Sequence, residues 1–432
     1  MQLLLKGFIF RVIFTGFGFL ISLLIAKLAG ASQFGTLSLI IVNAAFIHII
    51  TGLGTDAAIV WHGVAGTNYD RNKIFSFTVI TAAIQLLFFY IIAILGYLFL
   101  GHTLLGGSYD LRIFFAEIVY FTGLVLMDKF LSLYYSQHEA KLCNKILSIV
   151  SGLLFLVVSI IWLIKPAFIV DYPIWIYSLF VFIPSIILAF FFIVKFNPAF
   201  KNISQEEMRS FSSFSFIVLI TNLIQFVAFR ADYWLISIYH DHTSVGVYAQ
   251  ASKFAQLLWI IPSILTGLIT PALKNKNEKL TNAGLVSICR LMVFTHLILG
   301  FLLIALSAFI YKFFLPDDYY KGFFSLLIMV PGYLVYTVNI VLAGYFSANR
   351  LLRVNLYGSI ICCVLMLLFD LLFIPRLNYN GAAIANLLAY SITIIFIISQ
   401  AKKIIKVSFK DFFIVKRSDF NIFSSKILNT NN

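Results

Sequence analysis

Apolar runs of about twenty residues, parted by short polar turns, succeed one another from residue 7 to residue 399. A helix rises about 1.5 Å per residue, so each run is long enough to cross a hydrocarbon layer about 30 Å thick. Twelve spans follow from this pattern: 7–29, 37–59, 74–100, 112–135, 146–165, 174–195, 213–238, 245–271, 285–311, 322–346, 354–374 and 381–399. Short alternating segments, the mark of a membrane barrel, do not fill the chain. The predicted fold is therefore an all-α integral membrane protein with an even number of spans, which puts both ends on one side.

The longest interior polar segment, 197–212, follows the sixth span. It divides the chain into an N-terminal six-helix bundle, 1–196, a connector, 197–212, and a C-terminal six-helix bundle, 213–399, with a basic tail over 400–432. Gly35 in ASQFGTLSLI and Gly246 in HTSVGVYAQA are each expected in a short outer turn before the second helix of a half. That correspondence suggests a duplication, and transporters built from repeats carry their substrate between the halves.

Composition agrees with a membrane location. The 432 residues are 61% hydrophobic and only 11% charged, with a mean hydropathy of +0.99, whereas soluble domains are about a quarter charged. No sizeable extramembrane domain fits. The net charge of +14 would raise the question of nucleic acid in a soluble chain; here its distribution gives topology, and no nucleic-acid partner is expected. Of the 31 Lys and Arg residues, 23 fall on the side of the connector and the tail, Lys129 and Arg290 among them, against six on the other side. Basic residues collect in the cytoplasm, so both termini are predicted there. The first twenty residues lack a small-residue cleavage site and read as a retained helix. Cys143, Cys289, Cys362 and Cys363 lie in or beside apolar runs without metal-ligand spacing and read as packing residues.

Polar residues inside the spans are the candidates for function, because charge at membrane depth is costly and usually faces protein or a wet cavity. In the first span Arg11, Thr15, Gly18 and Ser22 form one stripe, which is either a seam of small residues or a cavity wall with a cation near its mouth. His48, Thr51 and Thr55 share a face of the second span, from which Asp56 turns away; Asp56 is left to cap a helix, pair with a cation or carry a coupling charge. In the seventh span Asn222, Gln225 and Asp232 lie on one side, with Arg230 about 160° around from Asp232 at 100° per residue, so the partners of those two must come from other helices. Gln250, Lys253 and Gln256 make a polar ridge on the eighth span, where Pro262 and Pro271 can kink the helix. Two readings stand for Arg230 and Lys253: a structural ion pair, such as Asp232 with Lys253, or a site for an anionic cargo. The candidate substrate-binding residues are thus Arg11, Arg230, Lys253, Asn222, Gln225, Gln250 and Gln256, and the candidates for ion coupling or ion pairing are Asp56, Asp232 and His48. No Walker loop, HExxH, GxSxG or paired acidic cluster in an outer loop is present, so no cofactor, metal or enzymatic activity is expected.

The runs GASQFGTLSLIIVNAAFIHIITGLGTDAAIV, ADYWLISIYHDHTSVGVYAQASKFAQLLWIIPSILTGLITPAL and LFIPRLNYNGAAIANLLAY resemble the polysaccharide and O-antigen flippases of the multidrug/oligosaccharidyl-lipid/polysaccharide (MOP) exporter superfamily. The resemblance spans nearly the whole chain. It implies two bundles of six helices around a central V-shaped cavity, alternating access, and a polyprenyl-diphosphate-linked oligosaccharide carried across the bacterial inner membrane for O-antigen, capsule or exopolysaccharide synthesis. Family members commonly line the cavity with cations; Arg11, Arg230 and Lys253 suit that role, although this chain has few such residues. The expected partners are the lipid-linked oligosaccharide, membrane lipids and a polysaccharide polymerase. A drug/cation antiporter of the same superfamily and a membrane polysaccharide polymerase are the alternatives; an acidic cavity would mark the first, an outer catalytic loop the second.

The topology is open to direct test. Single cysteines placed near Gly35, Gly106, Asp171, Asp241, Asp317 and Asn378 should react with an impermeant reagent from outside, whereas cysteines between Gln205 and Arg209 should not.

Overall fold

A computed structural model describes residues 2–64, 70–106, 110–263, 282–349 and 351–419. Pro271, Lys274, Lys276 and Lys279, with the end of the eighth predicted span, lie outside the described residues, as does the tail beyond Asp419. Helices carry almost all of the remainder, and no strand occurs among the described residues. They are α1 (Gln2–Gly52), α2 (Thr55–Val64), α3 (Arg71–Leu95), α4 (Leu111–Ser136), α5 (Ala140–Ile164), α6 (Pro166–Asp171), α7 (Pro173–Phe196), α8 (Gln205–Tyr239), α9 (His242–Gln256), α10 (Asn282–Phe313), α11 (Gly322–Ala348) and α12 (Leu352–Ile405). Ten of the predicted spans fall on a helix or a helical arm, because α1 and α12 are each two helices joined at a sharp break, at Gly30 (φ 77°) and Asn378 (φ 54°); the second, 37–59, runs from α1 into α2, and the end of the eighth is not described. Among the described residues seven helices are long and apolar enough to cross a membrane, and the chain is a multi-pass membrane protein. α4, α8 and α9 are not among those seven; they hold Glu117 and Lys129, Arg230 and Asp232, and Lys253.

The breaks sit where the backbone can be re-satisfied. Near the break at Asn378 the Ile374 carbonyl meets His240 Nε2 at 2.8 Å, and the Asn378 side-chain Nδ2 donates to Ser244 Oγ at 2.7 Å. Gly381 follows so closely on the carbonyl of Phe373 that any Cβ there would collide with backbone. Gly35 and Gly246 differ from expectation. Both lie inside helices, past the turns at Gly30 and Asp241, since the Asp241 carboxylate caps α9 by accepting from Ser244 N at 2.7 Å.

The chain forms two compact units, Met1–Phe226 and Val227–Asn432, the division falling within α8. In the first unit, α4 packs along α7 and α1 along α5. Asn144 Nδ2 donates to the Gly7 carbonyl at 3.0 Å and Ser148 Oγ to that of Phe10 at 2.5 Å, which fastens the start of α1 to α5. Of the stripe on the first span, Ser22 is buried and Gly18 faces Phe180 of α7, as in a small-residue seam, while Thr15 is exposed. Asp70 caps α3 and pairs with Lys201, and Lys73 meets Glu207 at 2.8 Å, so the polar connector is tied to the start of α3.

In the second unit, α11 packs along the two arms of α12. Its core joins Leu285 and Val286 of α10, Val338 and Leu342 of α11, and Ile394 and Ile398 of α12 to Phe412, beyond the last helix. The tail up to Asp419 thus packs on this unit through Phe412 and Asp419, while its basic residues Lys402, Lys403, Lys406, Lys410, Lys416 and Arg417 are exposed. Arg290, counted in the sequence as a loop cation, is buried and holds the Asp419 carboxylate with two nitrogens, Nε to Oδ2 at 2.8 Å and Nη2 to Oδ1 at 2.5 Å, and Nη1 donates to the Asp411 carbonyl at 3.2 Å.

The two units repeat one contact. In the first, a Cβ added to Gly123 of α4 would lie 2.7 Å from Phe182 Cα of α7; in the second, a Cβ added to Gly332 of α11 would lie 2.8 Å from Leu387 Cα on the second arm of α12. The fourth and sixth spans of each unit therefore touch backbone to backbone through one glycine, as small residues allow in membranes. Gly123→Val and Gly332→Val are each expected to cost about 1–3 kcal/mol through overpacking, read as a lowered thermal midpoint of the purified protein in detergent, while Gly16→Ala, where nothing from other elements lies within 4 Å of the added Cβ, should not lower it.

Candidate functional site

Polar and charged side chains gather at two places, one in each unit. In the second unit, Arg230 near the end of α8 reaches α9: its Nη2 donates to Gln256 Oε1 at 3.2 Å, and its Nη1 to the Tyr233 hydroxyl at 3.2 Å, with the guanidinium 5.4 Å from the centre of the Tyr233 ring. Gln256 in turn donates to Ser252 Oγ at 2.8 Å, which fixes its oxygen toward the arginine. Lys253 lies near enough to Arg230 for the two charges to act on each other. Beside them Phe229, Trp259, Tyr333, Tyr336 and Tyr390 form a continuous aromatic cluster, Trp259 stacking on Tyr333 at 4.4 Å and Tyr336 meeting Tyr390 at 4.6 Å.

Asp232 faces elsewhere. It is 2% exposed, takes a hydrogen bond from the Tyr248 hydroxyl of α9 and another from Asn386 Nδ2 of α12 at 3.4 Å, and accepts from Tyr233 N at 2.9 Å. Asn386 also donates to the Tyr248 oxygen at 2.8 Å, so three helices share one closed network. Arg230 and Asp232 each have partners on other helices, Gln256 for the first and Tyr248 and Asn386 for the second, and both also meet Tyr233 of their own helix. Asp370, on the first arm of α12, is fully buried with neither carboxyl oxygen hydrogen-bonded, within electrostatic reach of Asp232. Gln250 is likewise fully buried, with no partner for either amide atom.

The first unit holds an ion network on α1, α2, α3 and α4. His48 Nε2 lies 3.0 Å from Asp128 Oδ2 and 4.0 Å from Asp56 Oδ2. Lys129, 0% exposed, reaches Asp56 Oδ1 at 2.9 Å and Thr55 Oγ1 at 2.5 Å. Gln85 Nε2 stands 3.0 Å from His48 Nδ1 and donates to the His48 carbonyl at 3.2 Å and to Thr51 Oγ1 at 3.1 Å. Asp56 joins this group because the second span is not one helix. Leu53 and Gly54 both take positive φ, 51° and 70°, and the chain restarts as α2 with Asp56 in its first turn, turned back toward His48 instead of away from it. The break also lets Gly54 press against the α8 backbone at Ser215, where no side chain fits. Arg11 stands over the Phe14 ring at 5.4 Å and acts electrostatically on Asp128.

The structure brings together Arg230 and Gln256 with Lys253 nearby, and His48 with Asp56. It leaves Asn222 and Gln225 exposed on α8. The sequence reading passed over Asp128, Gln85, Asn386 and Asp370 and counted Lys129 among the cytoplasmic cations, although it is buried. A signal for the first of these was present: Asp128 and Lys129, like Glu117, interrupt the apolar run of the fourth span, the same anomaly that singled out Arg230 and Asp232.

The model of a family described as polysaccharide biosynthesis protein matches residues 7–275. No curated protein sequence gives a significant match. Among solved structures, the lipid II flippase MurJ in an inward closed conformation superposes with a TM-score of 0.70 at 16% identity, covering 95% of this chain and 89% of that one. An inward-facing multidrug resistance MATE family transporter of the MOP superfamily gives 0.68 at 14% identity over 92% and 96% of the two chains, and a Vibrio cholerae MATE transporter gives 0.65 at 15% identity over 95% and 97%. These likenesses establish the fold, that of the MOP exporters.

The Lys129–Asp56 pair generates a stability prediction. Lys129→Met leaves a carboxylate without its ammonium and should cost about 3 kcal/mol, the low end for a buried pair broken on one side because Asp56 is partly exposed. The double variant Asp56→Asn/Lys129→Met should recover most of that loss in thermal unfolding, giving a coupling of about 1 kcal/mol or more.

Proposed function

The chain belongs to the polysaccharide biosynthesis protein family, and from that premise we propose that it is a flippase for polyprenyl-diphosphate-linked oligosaccharides, working by alternating access in the bacterial cytoplasmic membrane with both termini inside. The product would serve a surface polysaccharide such as O-antigen, capsule or exopolysaccharide, with a polymerase acting next. The observation that carries this reading is the juxtaposition of Arg230 and Lys253. Two like charges held near each other in apolar surroundings repel and are poorly solvated, so an anion between or beside them relieves both costs. Asp232 is engaged with Tyr248 and Asn386. Arg230 presents a planar fork suited to phosphate oxygens, Gln256 orients it, and the aromatic cluster from Phe229 to Trp259 supplies the apolar lining usual in ligand sites. Arg11 offers a third cation, in the first unit.

One observation favours a drug/cation antiporter instead. Asp370 is a buried carboxyl without a hydrogen-bond partner, within reach of the charge of Asp232, and two carboxylates so placed would accept a cation.

Export separates the readings. In cells that depend on this protein for surface glycan, Arg230→Gln and Lys253→Gln should each lower export about tenfold or more, the loss of a charge-assisted contact, at unchanged membrane levels. Arg230→Lys should keep part of the activity because charge persists while the bidentate fork is lost. Normal export by both Gln variants would defeat the anion reading, and export that depends on Asp370 but not on Arg230 would favour the antiporter.

A further inference from the structure

The tail turns back on the second unit at the edge of the apolar layer. The arm of α12 from Asn378 to Ile405 is about 40 Å long at the usual helical rise, which outruns a hydrocarbon layer about 30 Å thick. Its last turn, with Lys402 and Lys403, therefore reaches headgroup level. Phe412, a few residues on, is buried in the core with Leu285, Val286 and Cys289 from the first turns of α10. Arg290, next along α10, holds the Asp419 carboxylate and the Asp411 carbonyl. Since the ninth span begins near Leu285, residues 411–419 are pinned beside its membrane edge.

With Phe412 and Asp419 turned inward, the segment presents a mixed apolar and basic face. Ile414 is 58% exposed and Phe409 36%, the Phe409 ring lying 5.4 Å from that of Phe413. Exposed cations surround them. Both carboxylates of the segment are already engaged, Asp419 by Arg290, and Asp411 by Lys416 at 3.1 Å and by the turn that it caps with Ser408. Lys402, Lys403, Lys406, Lys410 and Arg417 are thereby left outside any ion pair among the described residues. Apolar side chains at this level suit acyl chains, and lysines reach from beside them to headgroup phosphates on long apolar stems. A cluster of this size next to the end of a membrane helix is the charge complement of an anionic leaflet.

We propose that the segment from Lys402 to Arg417 is a docking surface for anionic phospholipid, and that this lipid helps to keep Asp419 closed on Arg290. The leaflet it meets is the inner one, which rests on the topology proposed above. The outward face and the residues that close on Arg290 belong to one short stretch of chain. Lipid that holds the stretch at the membrane edge therefore favours the closed pair, and by linkage the closed pair favours the lipid by the same factor.

The test places a bimane fluorophore on Ile414→Cys in the full chain, on a Cys363→Ser background that leaves only the buried Cys143, Cys289 and Cys362. The protein is set in nanodiscs of phosphatidylglycerol and phosphatidylcholine in equal parts, with a nitroxide quencher on the acyl chain of one lipid or the other. Both should quench, the phosphatidylglycerol quencher about threefold more strongly, and the preference should shrink in about 0.5 M salt as the charges are screened. Lys406→Gln/Lys410→Gln/Arg417→Gln should bring the preference close to one without changing thermal unfolding in lipid-free detergent. Absence of quenching by either lipid, or equal quenching by both, overturns the docking surface. For the closed pair, phosphatidylglycerol added in detergent should raise the thermal midpoint more than phosphatidylcholine does, and by less in Asp419→Asn. An equal rise in Asp419→Asn overturns the link to Arg290 and leaves the docking surface standing. In intact cells an impermeant maleimide should reach Ile414→Cys only after permeabilisation. Reaction from outside overturns the topology, whereas the nanodisc result, obtained with identical leaflets, is untouched by it.

Discussion

A charge carried into an apolar helix has no water to fall back on, and its compensation must come from other helices of the same protein. That requirement organises both polar clusters. Lys129 is satisfied by Asp56 and Thr55, Asp128 by His48, Asp232 by Tyr248 and Asn386, and Arg290 by Asp419. Apart from Asp232 with Tyr248, on consecutive helices, these pairs join residues more than 70 positions apart, so the electrostatics help fix which helices are neighbours, while the apolar residues, interchangeable with lipid, do not. Close approach is set separately by glycine, and the recurrence of the Gly123 and Gly332 contacts in the two units shows the same packing solution used twice.

Much of the architecture was legible in the apolar runs, because a span of twenty residues without regular interruption leaves few alternatives to a helix. The MOP exporter fold was implied by the resemblance of the quoted segments, not by the runs themselves. What periodicity could not give was the place where a helix stops. Residues 37–59 read as one span, yet Leu53 takes a conformation that a β-carbon disfavours, and only the flanking Gly52 and Gly54 hinted at it. That single break moves Asp56 from the far side of the helix to the His48 network. Gly35 and Gly246 were misplaced for the same reason, since a turn of two or three residues in an apolar run leaves almost no compositional trace.

The functional residues were legible in part. Arg230, Lys253 and Gln256 stood out as polar positions in apolar helices, and the structure gathers them. Asp128 and Lys129 carried the same signal, but a basic residue near a span end also satisfies the charge bias used to assign topology, and Lys129 was absorbed into that tally. Asn386 and Gln85 are uncharged, and nothing local distinguishes a buried amide that closes a network from one that merely fills space. Only the contact across helices separates them.

The fold of the tail bears on biogenesis. Arg290 lies near the start of α10, yet its carboxylate partner, Asp419, and the Phe412 ring that completes the core beside it come from beyond the last helix. During synthesis α10 emerges from the ribosome and meets the insertion machinery while both are still untranslated. Until they arrive, the guanidinium must remain hydrated and the pocket for Phe412 unfilled, so the second unit cannot reach its final packing before the whole of α12 has been threaded. Quality control that recognises an unpaired charge at the membrane face would thus have in Arg290 a marker of incomplete chains.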